Sequence, residues 1–527
     1  MKKILISDSV DEKCTAILKT AGFEADLITN LSREDLLELI PEYHALIVRS
    51  STQVDSELIT KMENIEVIGR AGAGVDNIDI AAATRKGILV MNTPGGNTIS
   101  AAEHTMALML AMSRKIPQAN ISLHLKKWDR NKFQGTELSG KTLGLIGLGK
   151  IGREVAIRAK AFGVKIIVHD PIISNDVISE LNLKSVTLDD IWKNSDIISV
   201  HVPLNDRTKN LVSYDELARC KDGVAIINCA RGGIVNEKAL LKALKEGKVS
   251  GAGLDVFESE PPDFSSGLVQ HPAVVSTPHL GASTEEAQKK VAIQIAEQVV
   301  DYFNSGTITG AVNTSMLKEL TTDYLKSFLK LSEVLGKILS QVRRGSLKKI
   351  SISYTGEQIH GYTKLFSTAL LKGFLSEELD DAVNFINANL LANEKGILLE
   401  ETISTDSKEY YNLIEATLTT DSDYWQFTGT VFGGNEIRIV NVNKYSVEFK
   451  PEGNLLLYRN IDKPGMLTAV SKQLSSANLN IAGLSLGRLT EGEHALTVIS
   501  TDSSIEEDLK NSISSIEGIK DIYSVYI

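Results

Sequence analysis

Three short segments carry side chains whose types and placement suit proton and hydride chemistry. Arg231 stands in NCARGGIV at 228–235, Glu260 in GLDVFESEPP at 253–262, and His279 in PHLGAST at 278–284. An arginine guanidinium holds a carboxylate in bidentate geometry. An imidazole titrates near neutral pH, so it can take a hydroxyl proton while hydride leaves the neighbouring carbon. A carboxylate beside that imidazole orients it and favours its protonated form. Singly, Arg231 and Glu260 read as surface ion-pair partners and His279 as a core histidine closing a strand. All three on neighbouring glycine-rich strand ends read as one set that holds a carboxylate and takes a proton while hydride leaves.

The group that would accept the hydride has its own signature. Residues 143–152 read LGLIGLGKIG, so Gly147, Gly149 and Gly152 form G-x-G-x-x-G after one expected strand and at the start of an expected helix. In such a turn the first glycine permits the tight bend and the second lets the backbone approach a pyrophosphate. The third lets the helix pack close to the sheet. Asp170 ends the next expected strand, eighteen residues beyond Gly152, where an acid meets the adenine ribose hydroxyls. A carboxylate there repels a 2′-phosphate, which favours NAD over NADP. The alternative is a glycine turn in a nucleotide-free α/β unit.

These residues need a parallel sheet to hold them. From residue 142 the pattern predicts strands at 143–146, 165–169, 196–201, 224–228, 251–255 and 273–276, with helices between, such as 151–162 and 236–245. That alternation describes a doubly wound, Rossmann-type α/β domain, whose ligands sit beyond the carboxyl ends of the strands. Earlier strands at 3–8, 45–51, 67–71 and 88–92, with a helix at 12–21, describe a second α/β lobe. The apolar-rich run 98–114 reads as a helix crossing between lobes, and 283–303 as a helix opened by a Ser283–Glu286 capping box. The last stretch, about 454–527, reads strand, helix, strand, strand, helix, strand, the ferredoxin-like βαββαβ order.

Composition bounds the rest. The 527 residues, at roughly 100–200 per domain, allow about three or four domains. With 43% apolar and 23% charged residues the chain is globular, and 11 prolines exclude a proline-rich stalk. A net charge of −11 disfavours nucleic acid, whose binders need a basic face, but leaves room for a pocket holding one small anion. No run approaches the ~20 apolar residues of a membrane span. The first apolar run meets Asp8 too soon for a secretion signal. Cys14, Cys220 and Cys229 are odd in number and widely spaced, so neither disulfides nor a metal cluster is expected. The expectation is a reduced, cytoplasmic, metal-free protein.

With VRSST at 48–52, GRAGAGVDN at 69–77 and NTISAAE at 97–103 added to the segments above, roughly residues 45–310 resemble the D-isomer-specific 2-hydroxyacid dehydrogenase family. The resemblance implies that Arg231 binds substrate beside the nicotinamide, that His279 is the acid–base group and that Glu260 is its partner. It implies NAD contacts from Ala73, Gly147, Gly149, Lys150, Ile151, Gly152, Asp170, Val202, Cys229, Asp255 and Gly281. Gly72, Gly74 and Val75 would offer backbone N–H groups to the substrate carboxylate. Arg49 and Arg70 would take a phosphate, and Arg130 would reach into a neighbouring subunit's site. The implied reaction is oxidation of D-3-phosphoglycerate to 3-phosphohydroxypyruvate, the entry to L-serine biosynthesis, by a homodimer or homotetramer. Glycerate or 2-hydroxyglutarate as substrate stays open, as does an NAD-sensing regulatory protein with vestigial activity.

Residues 455–467, LLLYRNIDKPGML, are similar to the opening of an ACT domain, a ferredoxin-like module that binds amino acids where two copies pair. By that resemblance Asn460, Asp462 and Asn480 would hold an L-serine effector; a module used only for dimerisation stays open. The segment before it, with FGGNEIRIV at 432–440, resembles the α+β intervening domain of the family's long members. That domain is associated with an anion, for which Arg343, Arg344, Arg438 and Lys444 are candidates; a plain spacer is the alternative. The implied division is a discontinuous flavodoxin-like substrate domain (1–97 with 283–311) and a Rossmann cofactor domain (98–282). An intervening domain (312–452) and an ACT domain (453–527) follow.

Overall fold

The computed structural model describes residues 1–314, 322–379, 382–405, 410–490 and 492–527. Runs that are apolar almost throughout, such as ALIV at Ala45–Val48 and VAIIN at Val224–Asn228, are buried along their whole length, as parallel strands covered on both faces must be. The first sheet is parallel throughout, in the order Glu24–Leu27, Lys3–Ile6, Ala45–Val48, Val67–Arg70, Leu89–Asn92. Numbered along the chain this is 2-1-3-4-5, the flavodoxin-like order. The second, also parallel, runs Val274–Ser276, Val249–Leu254, Val224–Asn228, Ile197–Val200, Thr142–Ile146, Lys165–His169, Lys184–Ser185. Its order reverses between Thr142–Ile146 and Ile197–Val200, the switch point at which such sheets take a dinucleotide.

The chain passes between these sheets twice. Leaving Leu89–Asn92, it enters the helix Thr98–Arg114, whose Ala102, Met106 and Met109 pack in the core of the second sheet. After Val274–Ser276 it returns through the helix Glu285–Ser305, whose Val291, Ile295 and Val299 join Ile4, Ile47 and Met91 beneath the first. The start of that helix differs from the sequence expectation. The N–H of Ser283 bonds Leu280 O at 2.8 Å, which draws Ser283 into the preceding turn. Thr284 therefore takes the extended cap conformation, and its hydroxyl accepts from Ala287 N.

The second half is built differently. LKKISISYT at Leu347–Thr355, from Ile350 on, and LIEATLTT at Leu413–Thr420 bury every second residue, the pattern of a sheet with one core face. The mixed six-stranded sheet runs Leu399–Ser404, Leu347–Thr355, Leu413–Thr420, Tyr424–Phe432, Glu436–Val442, Tyr445–Phe449. Helices Asp323–Val342 and Thr363–Ser376 share its core. The last sheet, Ile481–Arg488, His494–Thr501, Asn454–Ile461, Ile519–Tyr526, is antiparallel and carries helices Met466–Ser476 and Glu507–Ser514 in βαββαβ order. One face packs on those helices through Leu456, Tyr458, Val470 and Ile499. The other, through Leu455, Leu457, Val498 and Tyr523, merges into one apolar core with Leu331, Leu335 and Trp425. Trp425 and Tyr523 meet edge-on, ring centroids 4.9 Å apart. This half also docks on the first lobe: Asn384 Nδ2 donates to Gly87 O at 2.8 Å, and Glu394 pairs with Arg85.

Among the described residues no helix is long and apolar enough to cross a membrane, and no group of three or more His, Cys, Asp or Glu could hold a metal.

Because the core is shared, Leu457→Ala should cost about 2–5 kcal/mol. It should also lower the urea midpoint reported by Trp425 fluorescence, although Trp425 lies in the other sheet. A Trp425 midpoint left unchanged would mean the two sheets are energetically separate.

Candidate active site

The glycine turn is locked by sterics. Gly147 has φ +96°, and a Cβ there would lie 2.6 Å from His201 O; a Cβ at Gly152 would lie 2.3 Å from Gly147 O. Gly149 differs: it caps the helix Lys150–Ala161, and a Cβ there would meet no protein atom within 4 Å. Packing within the chain does not call for glycine at 149. A pyrophosphate approaching the helix N-terminus would, so the turn fits a dinucleotide. Asp170 Oδ2 accepts from Leu148 N at 2.7 Å, and Oδ1 from Ile172 and Ile173 N at 2.9 and 3.1 Å. Burial alone would raise its pKa, but these donors hold it below the usual carboxylate range. Ile151 packs into the core beneath, Val202 lies against Gly147, and Lys150 Nζ reaches across to Pro94 O at 3.3 Å.

The second strand-end cluster is organised by Asp255, only 1% exposed. Its carboxylate accepts from Thr277 Oγ1 at 2.6 Å, Leu280 N at 2.7 Å, Gly281 N at 2.8 Å and His104 Nε2 at 3.1 Å. Burial would raise its pKa; the bonds from His104, Thr277 and Leu280 outweigh burial and keep it ionised. Its backbone carbonyl accepts from His279 N at 2.9 Å. This frame holds His279 at φ +56°, a left-handed conformation that costs a non-glycine residue about 1–3 kcal/mol. His279 Nδ1 then meets Glu260 Oε2 at 2.7 Å, and Glu260 Oε1 accepts from Phe257 N at 3.2 Å. The Glu260 bond raises the imidazole pKa against burial, and the Glu260 carboxyl is correspondingly held low. With Nδ1 engaged, Nε2 is the nitrogen left to face a substrate. Burial pushes the Cys229 thiol up to about 12, so it is a neutral packing group rather than a nucleophile.

Three arginines lie close enough to act on one another, and one of them, Arg231, also acts on His279. Arg231 extends to the 72–76 loop of the first lobe, where Nε donates to Asp76 Oδ2 at 2.9 Å and Nη2 lies 2.0 Å from where a Cβ on Gly74 would stand. Arg70 folds over Gly72 and donates from Nε to Asn77 Oδ1 at 3.0 Å. Burial first, then the neighbouring Arg231, lower its pKa to about 10. Arg49 is fixed through its backbone N–H to Asp8 Oδ2 at 2.6 Å, and its Nη1 donates to Ser9 O at 3.0 Å. The intervening loop is held by Asn92 Nδ2 on Ala73 O at 2.5 Å and Ile78 N on Val75 O at 3.0 Å.

Other expected site residues lie elsewhere. Arg130 is exposed on the short turn Arg130–Phe133, and no hydrogen bond or ion pair joins it to the cleft cluster among the described residues. Asn460, Asp462 and Asn480 do not converge within one chain. Strands Asn454–Ile461 and Ile481–Arg488 run parallel on either side of His494–Thr501, with Asn454 and Ile481 both opposite Thr501. Asn480 therefore sits at one end of the sheet and Asn460 at the other, about 20 Å of strand away. Asn480 bonds Asp502, and Asp462 faces Arg488. Arg343 pairs with Glu378, Arg438 with Glu436 and Glu448, and Arg344 stacks on Tyr523. Sequence reasoning missed His104, Asp8, Asp76 and Asn77. Each left a trace: a polar residue in an apolar helix, an acid closing a strand, and two side chains inside an already singled-out motif.

Residues 106–281 match the family model described as D-isomer specific 2-hydroxyacid dehydrogenase, NAD binding domain, and 324–443 that described as D-3-phosphoglycerate dehydrogenase intervening domain. The D-3-phosphoglycerate dehydrogenase of Archaeoglobus fulgidus is 40% identical over 98% of this chain and 99% of its own. That of Homo sapiens is 40% identical over 96% of each. Among solved structures, the NAD+-bound 3-phosphoglycerate dehydrogenase of Entamoeba histolytica is 32% identical, with a TM-score of 0.51 over 59% of this chain and 99% of its own.

Replacing Glu260 by Gln removes the main influence that raises the His279 pKa, leaving only Asp255 to oppose burial and Arg231. The midpoint of His279, followed by NMR of histidine labelled at Cε1, should fall. An unchanged or higher midpoint would show that Glu260 does not govern the imidazole.

Proposed function

Because the chain belongs to the D-isomer specific 2-hydroxyacid dehydrogenase family, we propose that it oxidises D-3-phosphoglycerate to 3-phosphohydroxypyruvate with NAD, as the first step of L-serine formation. The carrying observation is the cleft itself, in which Arg231 acts both on the His279–Glu260 pair and on Arg70 beside Arg49, beyond a dinucleotide turn. NAD, when bound, supplies the hydride acceptor. The Gly147–Gly152 turn and the helix N-terminus hold its pyrophosphate, and Asp170 its ribose. Ala73, Val202, Cys229, Asp255 and Gly281 line its nicotinamide end.

Arg231 and the backbone of the 72–75 loop fix the substrate carboxylate, while Arg49 and Arg70 take the phosphate. The hydroxyl proton moves to Nε2 of His279 as hydride leaves C2, and Glu260 stabilises the imidazolium that results. The three arginines focus positive potential locally on a chain of net charge −11.

Regulation and assembly belong to the same reading. The Asn460 side-chain oxygen is buried with no hydrogen-bond partner among the described residues, which supports a ligand at that strand end. An L-serine effector held by Asn460, Asp462 and Asn480 together would take Asn480 from a second copy. Exposed Ile121, Leu123, Leu125 and Trp128 (56–79% accessible) support a homo-oligomer in which Arg130 approaches the neighbouring cleft. Three free cysteines suit a reducing, cytoplasmic setting.

The direct test is NADH formation from D-3-phosphoglycerate against unphosphorylated D-2-hydroxy acids, with and without L-serine. D-3-phosphoglycerate should be preferred, and a chain that prefers D-glycerate would sink the substrate assignment. His279→Ala should lower kcat by ~10²–10⁴; activity within twofold of wild type would remove it from the chemistry. Arg49→Ala and Arg70→Ala should harm the phosphorylated substrate far more than D-glycerate, and equal losses on both would deny them the phosphate.

A further inference from the structure

The helix Thr98–Arg114 lies directly on the strand Val249–Leu254 because two strand positions lack side chains. A Cβ on Gly251 would stand 3.1 Å from Met112 Cγ, and one on Gly253 would stand 3.2 Å from Leu108 Cβ. Residues 112, 108 and 104 follow one another at i, i+4 spacing on one helix face, while 251, 253 and 255 share one face of the strand. The register that seats Met112 on Gly251 and Leu108 on Gly253 therefore brings His104 to Asp255. His104 Nε2 lies 3.1 Å from Asp255 Oδ1 and 2.9 Å from Thr277 Oγ1. An ionised carboxylate only accepts, and the Thr277 hydroxyl hydrogen is committed to Asp255 at 2.6 Å. Nε2 must carry the hydrogen and donate to both.

We propose that His104 is a positioning residue for hydride transfer: it fixes Asp255 and Thr277, and through them the left-handed turn carrying His279 and the nicotinamide end of the cleft. The inference rests on the dehydrogenase reading above. It gives the lobe-crossing helix a direct bond to the catalytic turn, since that helix begins at Thr98, immediately after the chain leaves the first lobe. A histidine that merely filled core space would be replaceable by leucine without kinetic consequence.

The test compares His104→Leu and His104→Gln in the full chain, because a glutamine amide N–H can still donate to Asp255. NADH affinity is read by fluorescence titration, kcat and KM with D-3-phosphoglycerate, and the thermal midpoint. His104→Leu should weaken NADH binding and lower kcat about tenfold each, the scale of losing one hydrogen bond to a buried charge. The KM for D-3-phosphoglycerate should stay within twofold, and His104→Gln should recover most of the loss. Wild-type-like NADH affinity and kcat in His104→Leu overturns the proposal. So does a loss that His104→Gln does not rescue and that follows the thermal midpoint. NADH titration needs no substrate, so a chain that binds NADH but does not oxidise D-3-phosphoglycerate fails the substrate reading while the His104 comparison still decides. A wild-type chain that binds no NADH overturns both.

Discussion

A carboxylate withdrawn from water must find donors, and the His279 end of this cleft is arranged around the way Asp255 finds them. Two of its donors are backbone N–H groups of the turn that follows His279, so satisfying the buried charge fixes that turn. The turn in turn keeps His279 in a conformation that an L-residue rarely adopts, with Nδ1 on Glu260. A third donor arrives from Thr277 and a fourth from the lobe-crossing helix. The geometry of the His279–Glu260 pair is thus a consequence of burying one charge fully and pairing it fully.

The opposite wall obeys a different electrostatic rule. Arg49, Arg70 and Arg231 come from two sheets, and their mutual repulsion is tolerated because Asp8 accepts from the Arg49 backbone N–H, Asp76 from the Arg231 guanidinium and Asn77 from that of Arg70. Asp76 lies on the first lobe and Arg231 on the second, so their ion pair bridges the cleft. A site split in this way depends on the two crossing segments, 93–97 and 277–284, to bring its halves together.

In the second half, hydrophobic burial decides the architecture. The inner strands of the last sheet, Asn454–Ile461 and His494–Thr501, are covered by its own helices on one side and by the core of the six-stranded sheet on the other. Through the helix Asp323–Val342 and the Asn384–Gly87 contact, its packing is continuous with the lobe that carries Arg49 and Arg70.

Much of this was written in local pattern. Fully apolar strands, alternating strands, the glycine turn with Asp170, and the positions of Arg231, Glu260 and His279 all depend on short-range spacing and on side-chain chemistry, which a sequence displays directly. The tertiary structure alone decided which distant groups meet. It set His104 against Asp255, Asp76 against Arg231, and Thr284 rather than Ser283 at the helix cap. It separated Asn480 from Asn460, and it packed the stretches on either side of residue 452, which the resemblance assigns to different domains, around one apolar core. The reason is physical: spacing along the chain determines periodicity and turn chemistry. Pairing across strands, helix-on-strand register and the sharing of a core are set by which surfaces pack with the least unsatisfied charge and exposed apolar area.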